Sequence, residues 1–173
     1  LLLKQKINTD EFEFEERPIP NSIKRVTKVT KGGRSISFNV LSVVGNHAGI
    51  VGLGFGSAND IPSAISKSIA DAKKNLIHVP LSDGTIPHEI TCVFKSARVL
   101  LKPASSGTGI IAGLATKIIL ELAGIQDVLT KRLGSRNVKN IAEATMLGLR
   151  NLKDVHEVAR LRGKTVEEFT SQR

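Results

Sequence analysis

The sequence predicts an α+β protein of two small domains, β-β-β-α followed by β-β-α-β-α. Three observations carry that expectation. Runs of alternating, β-branched residues precede each long stretch of helical apolar spacing. A proline-bounded segment from Pro80 to Pro87, with Asp83-Gly84 inside it, divides the chain near its middle. The 173 residues suit one domain or two small ones, and a chain of this length buries roughly 70% of its extended surface without needing a staple.

Taken in order, Thr9 to Glu16 alternates Phe12 and Phe14 with Glu11, Glu13, Glu15 and Glu16, and Pro18 and Pro20 follow, so the stretch reads as an acidic tail or a short edge segment. Lys24 to Lys31 interleaves Val26 and Val29 with bases. Gly32-Gly33 turns the chain, and Ile36 to Val44 resumes the alternation, which predicts a hairpin with a basic tip. In Val51-Gly52-Leu53-Gly54-Phe55-Gly56 every second residue is glycine. One strand face is therefore bare, open to close approach by backbone or a helix. Asn59 or Asp60 before Pro62 starts a helix whose face holds Ile61, Ala64, Ile65, Ile69, Ala72 and Leu76, reaching about Ile77, with Lys67, Lys73 and Lys74 away from it.

In the second half, 88–94 and 97–101 read as strands joined by a tight turn. Ile111, Leu114, Ala115, Ile118 and Leu122 make a helix face that Gly124 closes as a C-cap. Val128 to Leu133 is a short strand carrying Lys131 and Arg132, and a turn at 134–137 caps a helix from Val138 to about Leu152. The organisation expected is an acidic tail over 1–21, a first domain over 22–79, a linker over 80–87, a second domain over 88–152 and a charged helical tail over 153–173.

Charge is the first functional signal. The chain carries 25 Lys and Arg against 16 Asp and Glu, a net charge of +9. Residues 21–103 hold 11 bases and 4 acids, most of that excess. Lys24, Arg25, Lys28, Lys31 and Arg34 fall within eleven residues that include no acid, and with Gly32, Gly33 and the Ser35 hydroxyl they suit phosphate contacts. A solvated basic loop is the bland alternative. The chain contains no Trp and no Tyr, and Phe38 and Phe55 fall in strand cores, so a base-stacking platform is not expected.

Other chemistries find little support. A single cysteine, Cys92, excludes a disulfide framework or a thiolate zinc cluster. The four His residues lack ligand spacing, so no metal and no cofactor is expected. Gly107-Thr108-Gly109 to Gly113 with Asp127 superficially resembles a dinucleotide site, but the spacing is G-x-G-x-x-x-G and Asp127 precedes the next strand. No catalytic residue is assigned. No apolar run approaches the ~20 residues of a membrane span, so no membrane partner is expected. Leu1 in place of Met leaves room for a preceding segment, a targeting sequence included.

The strings Arg25-Val26-Thr27-Lys28-Val29-Thr30-Lys31-Gly32-Gly33-Arg34, Val43-Val44-Gly45, Gly52-Leu53-Gly54-Phe55-Gly56 and Ile61-Pro62-Ser63-Ala64-Ile65 closely resemble the bacterial-type small-subunit ribosomal protein five family. Val99-Leu100-Leu101-Lys102-Pro103-Ala104, Gly107 to Gly113, Glu121-Leu122-Ala123-Gly124-Ile125, Leu133-Gly134-Ser135 and 158–168 extend the likeness over residues 22–168. The resemblance implies a double-stranded-RNA-binding-like first domain and a second domain with a left-handed βαβ crossover. It also implies binding to 16S-type small-subunit rRNA, contacts with ribosomal proteins four and eight, a place with protein three along the path by which messenger RNA enters, and an influence on decoding accuracy. Lys24, Arg25, Lys28, Lys31, Gly32, Gly33, Arg34 and Ser35 would be the rRNA contacts, with Lys73 and Lys74 a second set. Gly107, Gly109, Gly113 and Lys117 would face protein. The implied location is a ribosome in the bacterial cytoplasm, with chloroplast and mitochondrial ribosomes as alternatives, and a free-standing double-stranded-RNA-binding module is the alternative function. Asn46 and His47 replace a common acid and glycine, Ile50 and Ser57 stand where bases are frequent, and Leu114 replaces a glycine.

Overall fold

The computed structural model describes residues 13–163 and 166. A first sheet is formed by β1 (Glu15–Pro18), β2 (Lys24–Thr30), β3 (Gly33–Gly45), β4 (Ile50–Ala58) and β5 (Leu76–His78), crossed by helix α1 (Ile61–Lys74). The second comprises β6 (Ile90–Phe94), β7 (Ala97–Pro103), β8 (Ile110–Ile111) and β9 (Val128–Gly134) in the order β6-β7-β9-β8. It is accompanied by α2 (Leu114–Ala123) and α3 (Val138–Arg150), and α4 (Val155–Leu161) follows. All pairings between named strands are antiparallel except β8 with β9, which run parallel across α2 and so form the βαβ unit.

The bare glycine face behaves as its spacing predicts. Gly52, Gly54 and Gly56 lie under α1, whose contact residues are the buried Ala64, Ser68 and Ala72. A Cβ on Gly54 would lie 2.8 Å from the Cα of Ala72 and overlap the Ser68 carbonyl. Ser68 breaks the apolar pattern but bonds to Ser42 across the interface, Oγ to Oγ at 2.5 Å, both side chains fully buried. The expected face differs accordingly: Ile61 is exposed and small residues face the sheet.

One boundary departs from expectation, and the choice between tail and edge segment for the acidic stretch is decided, for a shared reason. The helix ends at Lys74, and Leu76 to His78 pair with Ile50 to Gly52 as an edge strand. The acidic segment is likewise drawn into the sheet, Glu15 to Pro18 pairing with Ser42 to Gly45. Ile19 is fully buried beyond it. A 3-10 turn over Pro20–Ser22 then leads to β2, and the Leu41 N–H donates to the Ser22 hydroxyl at 3.0 Å. Edge backbone that would otherwise be unpaired recruits these segments. Residues 1–12 of the acidic tail and 164–165 and 167–173 of the C-terminal tail lie outside the described residues.

The two units share one core. Leu41, Val43, Val51 and Leu53 of the first sheet belong to the same buried cluster as Ile119, Leu120, Leu122 and Leu149 of α2 and α3 and Val99 and Leu101 of β7. α1 covers one face of the first sheet, while α2 and α3 pack against the other and against the second sheet. The 80–87 segment is fastened to this body: Ile86 is buried, and the Gly84 carbonyl accepts the N–H groups of Gln126 and Asp127.

The C-terminus of α2 completes the junction. Its carbonyls of Leu122 and Ala123 accept the N–H groups of His47 and Gly49 from the β3–β4 turn, and Gly124 holds φ 87° as the expected cap. Asn46 shapes that turn by accepting from the Ala48 and Ile50 N–H groups, and Ile50 itself is buried. His47 Nδ1 lies 2.9 Å from the Glu121 carbonyl and its Nε2 lies 2.6 Å from the Glu15 carboxylate, while Arg17 bonds to both Glu15 and Glu121.

The His47 hydrogen bond first, and that of Arg17 second, hold the Glu15 carboxyl below its ordinary value of 4.5. A carboxyl with a depressed folded value stabilises the fold above about pH 4.5 and loses that contribution as pH falls through the folded value. Glu15→Gln should therefore lower the melting temperature slightly at pH 7, with the gap to the parent protein closing in acid. A gap that stays constant across thermal melts from pH 7 to pH 3 would count against the clamp.

Candidate nucleic-acid interface

β2 and β3 build an arm. Seven cross-strand pairs run from Lys24 opposite Asn39 to Thr30 opposite Gly33, and Lys31-Gly32 closes the turn with Gly33 at φ 142°. β4 begins pairing with β3 only at Phe38, so Gly33 to Ser37 have β2 as their single neighbour. The free portion extends about 17 Å at 3.4 Å per residue. Every β2 residue is exposed, including Val29 at 75%. A two-stranded ribbon with both faces in solvent gains little from packing, so the five cations are not there to cover a core.

Pairing assigns the cations to faces. Residues directly opposite one another share a face. Lys24 and Lys28 therefore lie with Asn39, Ser37 and Ser35 on the side that continues to Leu41, whereas Arg25 lies with Phe38 and Arg34 with Val29 on the α1 side. Lys31 occupies the tip. None of these five cations takes part in an ion pair among the described residues.

The second expected set is separate from the arm. Lys73 and Lys74 end α1 beside Gly52, about 20 Å along the sheet from the arm's base by strand rise, and Lys73 is engaged by Glu16 at 2.8 Å. Gly107 and Gly109 adopt φ 88° and 75° in the loop before β8 and face open space, as does Gly113 at the start of α2. Lys117 is exposed on α2, and Ile111 and Leu114 beside it are 54% and 47% exposed rather than part of a buried face. Asp127 is buried and accepts the Gly109 N–H at 2.7 Å, which occupies the carboxylate that a dinucleotide reading would need for a ribose. Cys92 is a core residue against Gly148, and burial raises its thiol pKa.

A groove between the units holds cations that the hairpin pattern does not reveal. Its larger part, about 440 Å³, is lined by Lys131, Arg132 and Arg136 together with the start of α2. Its smaller part, about 170 Å³, is lined by Lys24, Asn39, Phe55 and Lys139, and Val138 borders both. Phe55 is not a core ring: it is 38% exposed, with Lys139 Nζ 3.9 Å from its centroid. The available signal was the run 131–139, which has four bases and no acid.

A two-unit α+β body whose projecting element is an acid-free basic ribbon has the electrostatic footprint of the nucleic-acid-binding class. Among the described residues no group of His, Cys, Asp and Glu is placed to hold a metal, and no helix is long and apolar enough to cross a membrane. Within that class the chain belongs to the ribosomal protein S5 family: residues 17–80 match its N-terminal domain and residues 92–162 its C-terminal domain. The protein named small ribosomal subunit protein uS5 from Thermotoga neapolitana is 57% identical over 156 residues, 90% of this chain and 86% of that protein. Its namesake from Thermotoga maritima is 54% identical over the same shares. The one from Thermosipho africanus is 48% identical over 96% of this chain and 93% of its own length. The chain is thus a structural constituent of the small ribosomal subunit, not an enzyme.

Proposed function

We propose that the chain fastens small-subunit rRNA by its phosphates, with the arm as the principal contact. The observation that carries this reading is the arm itself: five cations that form no ion pair among the described residues, on a ribbon that contains no acid and whose outer part, with Lys28, Lys31 and Arg34, projects beyond β4. Lys24, Arg25, Lys28, Lys31 and Arg34 neutralise phosphates, Gly32 and Gly33 let backbone N–H groups approach, and Ser35 adds a hydroxyl on the Lys28 side. Lys73 and Lys74 form a lesser site, in which Lys73 must first leave Glu16. The first unit, residues 22–79, is the RNA-holding part.

The second unit, residues 88–152, faces protein. Exposed Ile111 and Leu114 beside Gly107, Gly109, Gly113 and Lys117 support a contact with ribosomal proteins four and eight, the side on which the chain influences decoding accuracy and, with protein three, the path of incoming messenger RNA. Because the units share a core and the Glu15–His47–Arg17–Glu121 clamp, strain at the protein contact passes to the RNA-holding unit. The bacterial origin of the relatives favours the bacterial cytoplasm as the location.

Sucrose-gradient fractionation across a salt series tests the phosphate reading. The chain should co-sediment with small subunits at low salt and leave them as salt rises. Recovery only in ribosome-free fractions, or retention that salt does not weaken, would overturn it.

A further inference from the structure

The arm is not the only place where positive charge lies uncompensated. Lys131, Arg132, Arg136 and Lys139 line the groove between the units, and no acidic residue lines either part of it. None of these four cations forms an ion pair among the described residues. Two helices make the charge harder to explain as a stability device. α2 and α3 both start at the groove, and neither has an acid in its first turn. Helix N-termini carry partial positive charge, so Arg136 and Lys139 at the start of α3 oppose the dipole that an acidic residue would satisfy. Among the described residues no ion pair offsets this electrostatic conflict.

Geometry adds direction. Lys24 lines the groove and is also the first cation on the Lys24–Lys28 face of the arm, so one basic surface runs from the ribbon past Lys139 to Arg136 and to Arg132, which pairs opposite the buried Val99 on the helix side of the second sheet. Lys139 is held at the boundary by its position over the Phe55 ring. An open channel lined by cations along its length suits a continuous polyanion better than a small ligand. We infer that the groove between the units is a second phosphate-binding surface, continuous with the Lys24–Lys28 face of the arm, and that it takes the backbone of the same RNA. This rests on the arm reading above for the identity of the polyanion. It also selects the Lys24–Lys28 face, rather than the Arg25–Arg34 face, as the one turned toward that backbone.

The test is binding of the full chain to purified small-subunit rRNA, followed by fluorescence anisotropy over a KCl series. R132A/R136A/K139A should make the plot of log K against log salt shallower by about 2, since each lost contact removes roughly 0.7–0.9 from the slope. The loss should add to that of K31A/R34A. Thermal melting of the groove variant should change stability by no more than about 1 kcal/mol, because relief of the α3 dipole at positions 136 and 139 is set against the lost Lys139 contact with Phe55. If the triple variant does not fold, R132Q/R136Q gives the same comparison with a smaller change. A slope and affinity unchanged in the groove variant, while K31A/R34A lowers both, overturns the inference and leaves the arm reading standing. A slope unchanged only in K31A/R34A overturns the arm reading instead, and the groove contact is upheld. Unchanged RNA binding combined with weakened association to whole subunits overturns the inference in favour of an acidic protein neighbour.

Discussion

Gly54→Ala is expected to destabilise the protein by about 3 kcal/mol, toward the upper end of the range for overpacked cores. The added methyl has nowhere to go. It would overlap the Ser68 carbonyl and the Ala72 N–H and lie 2.8 Å from the Ala72 Cα, all of them backbone or Cα atoms that cannot rotate away. α1 would have to move off the sheet, and with it the buried Ala64 and Ala72 and the Ser42–Ser68 hydrogen bond. For a chain of this size the shift corresponds to a fall in Tm of roughly 6–12 °C. Gly113→Ala is the control, because its Cβ meets nothing within 4 Å and its φ is −69°. A Gly54→Ala melt within about 2 °C of the Gly113→Ala melt would show that the glycine ladder is not the reason the helix lies so close.

That ladder was fully legible in the sequence, because strand alternation is local: glycine at every second position leaves one face bare whatever packs there. The Gly124 cap and the hairpin were legible for the same reason, each being decided within a few residues. What was hidden depends on partners distant in the chain. Leu76 to His78 continue a helical pattern on paper, and only the free edge of β4 turns them into a strand. The stretch ending at Glu16 reads as a tail or a short edge segment, and only β3, by pairing with Glu15 to Pro18, decides for the edge. Phe55 sits in a strand of apolar residues, yet its ring emerges at the border of the first sheet, where α3 delivers Lys139 from 84 positions further along the chain. The shared core is hidden for the same reason. Alternation identifies Leu41, Val43, Val51 and Leu53 as one apolar face, but which helix covers that face is a tertiary fact.

The candidate site divides in the same way. Five cations close in sequence on a hairpin stay close in space, whereas Lys73 and Lys74, close to one another but on a different element, fall at the far end of the sheet and one of them is spent on Glu16. Groove cations were the opposite case, present in the sequence as a run but given a direction only by the meeting of the two units.

Charge reversal on the arm should have the largest effect on function. K28E/K31E/R34E removes three positive charges from the free part of the ribbon and adds three negative ones. Affinity for small-subunit rRNA should fall by roughly 100-fold or more at moderate salt, and the salt dependence should become shallower by about 2–3. Stability should change by no more than about 0.5 kcal/mol, because these side chains are exposed and no ion pair among the described residues is lost. A folded variant with unaltered affinity would remove the arm from the interface. The two faces then allow a finer comparison by the same assay. K24A/K28A takes charge from the side continuous with the groove, and R25A/R34A from the side of α1. RNA that wraps the tip alone would depend on both pairs equally. RNA that continues into the groove would depend more on Lys24 and Lys28, since those residues join the two basic surfaces into one, and a greater loss from R25A/R34A would place the backbone on the other side of the ribbon.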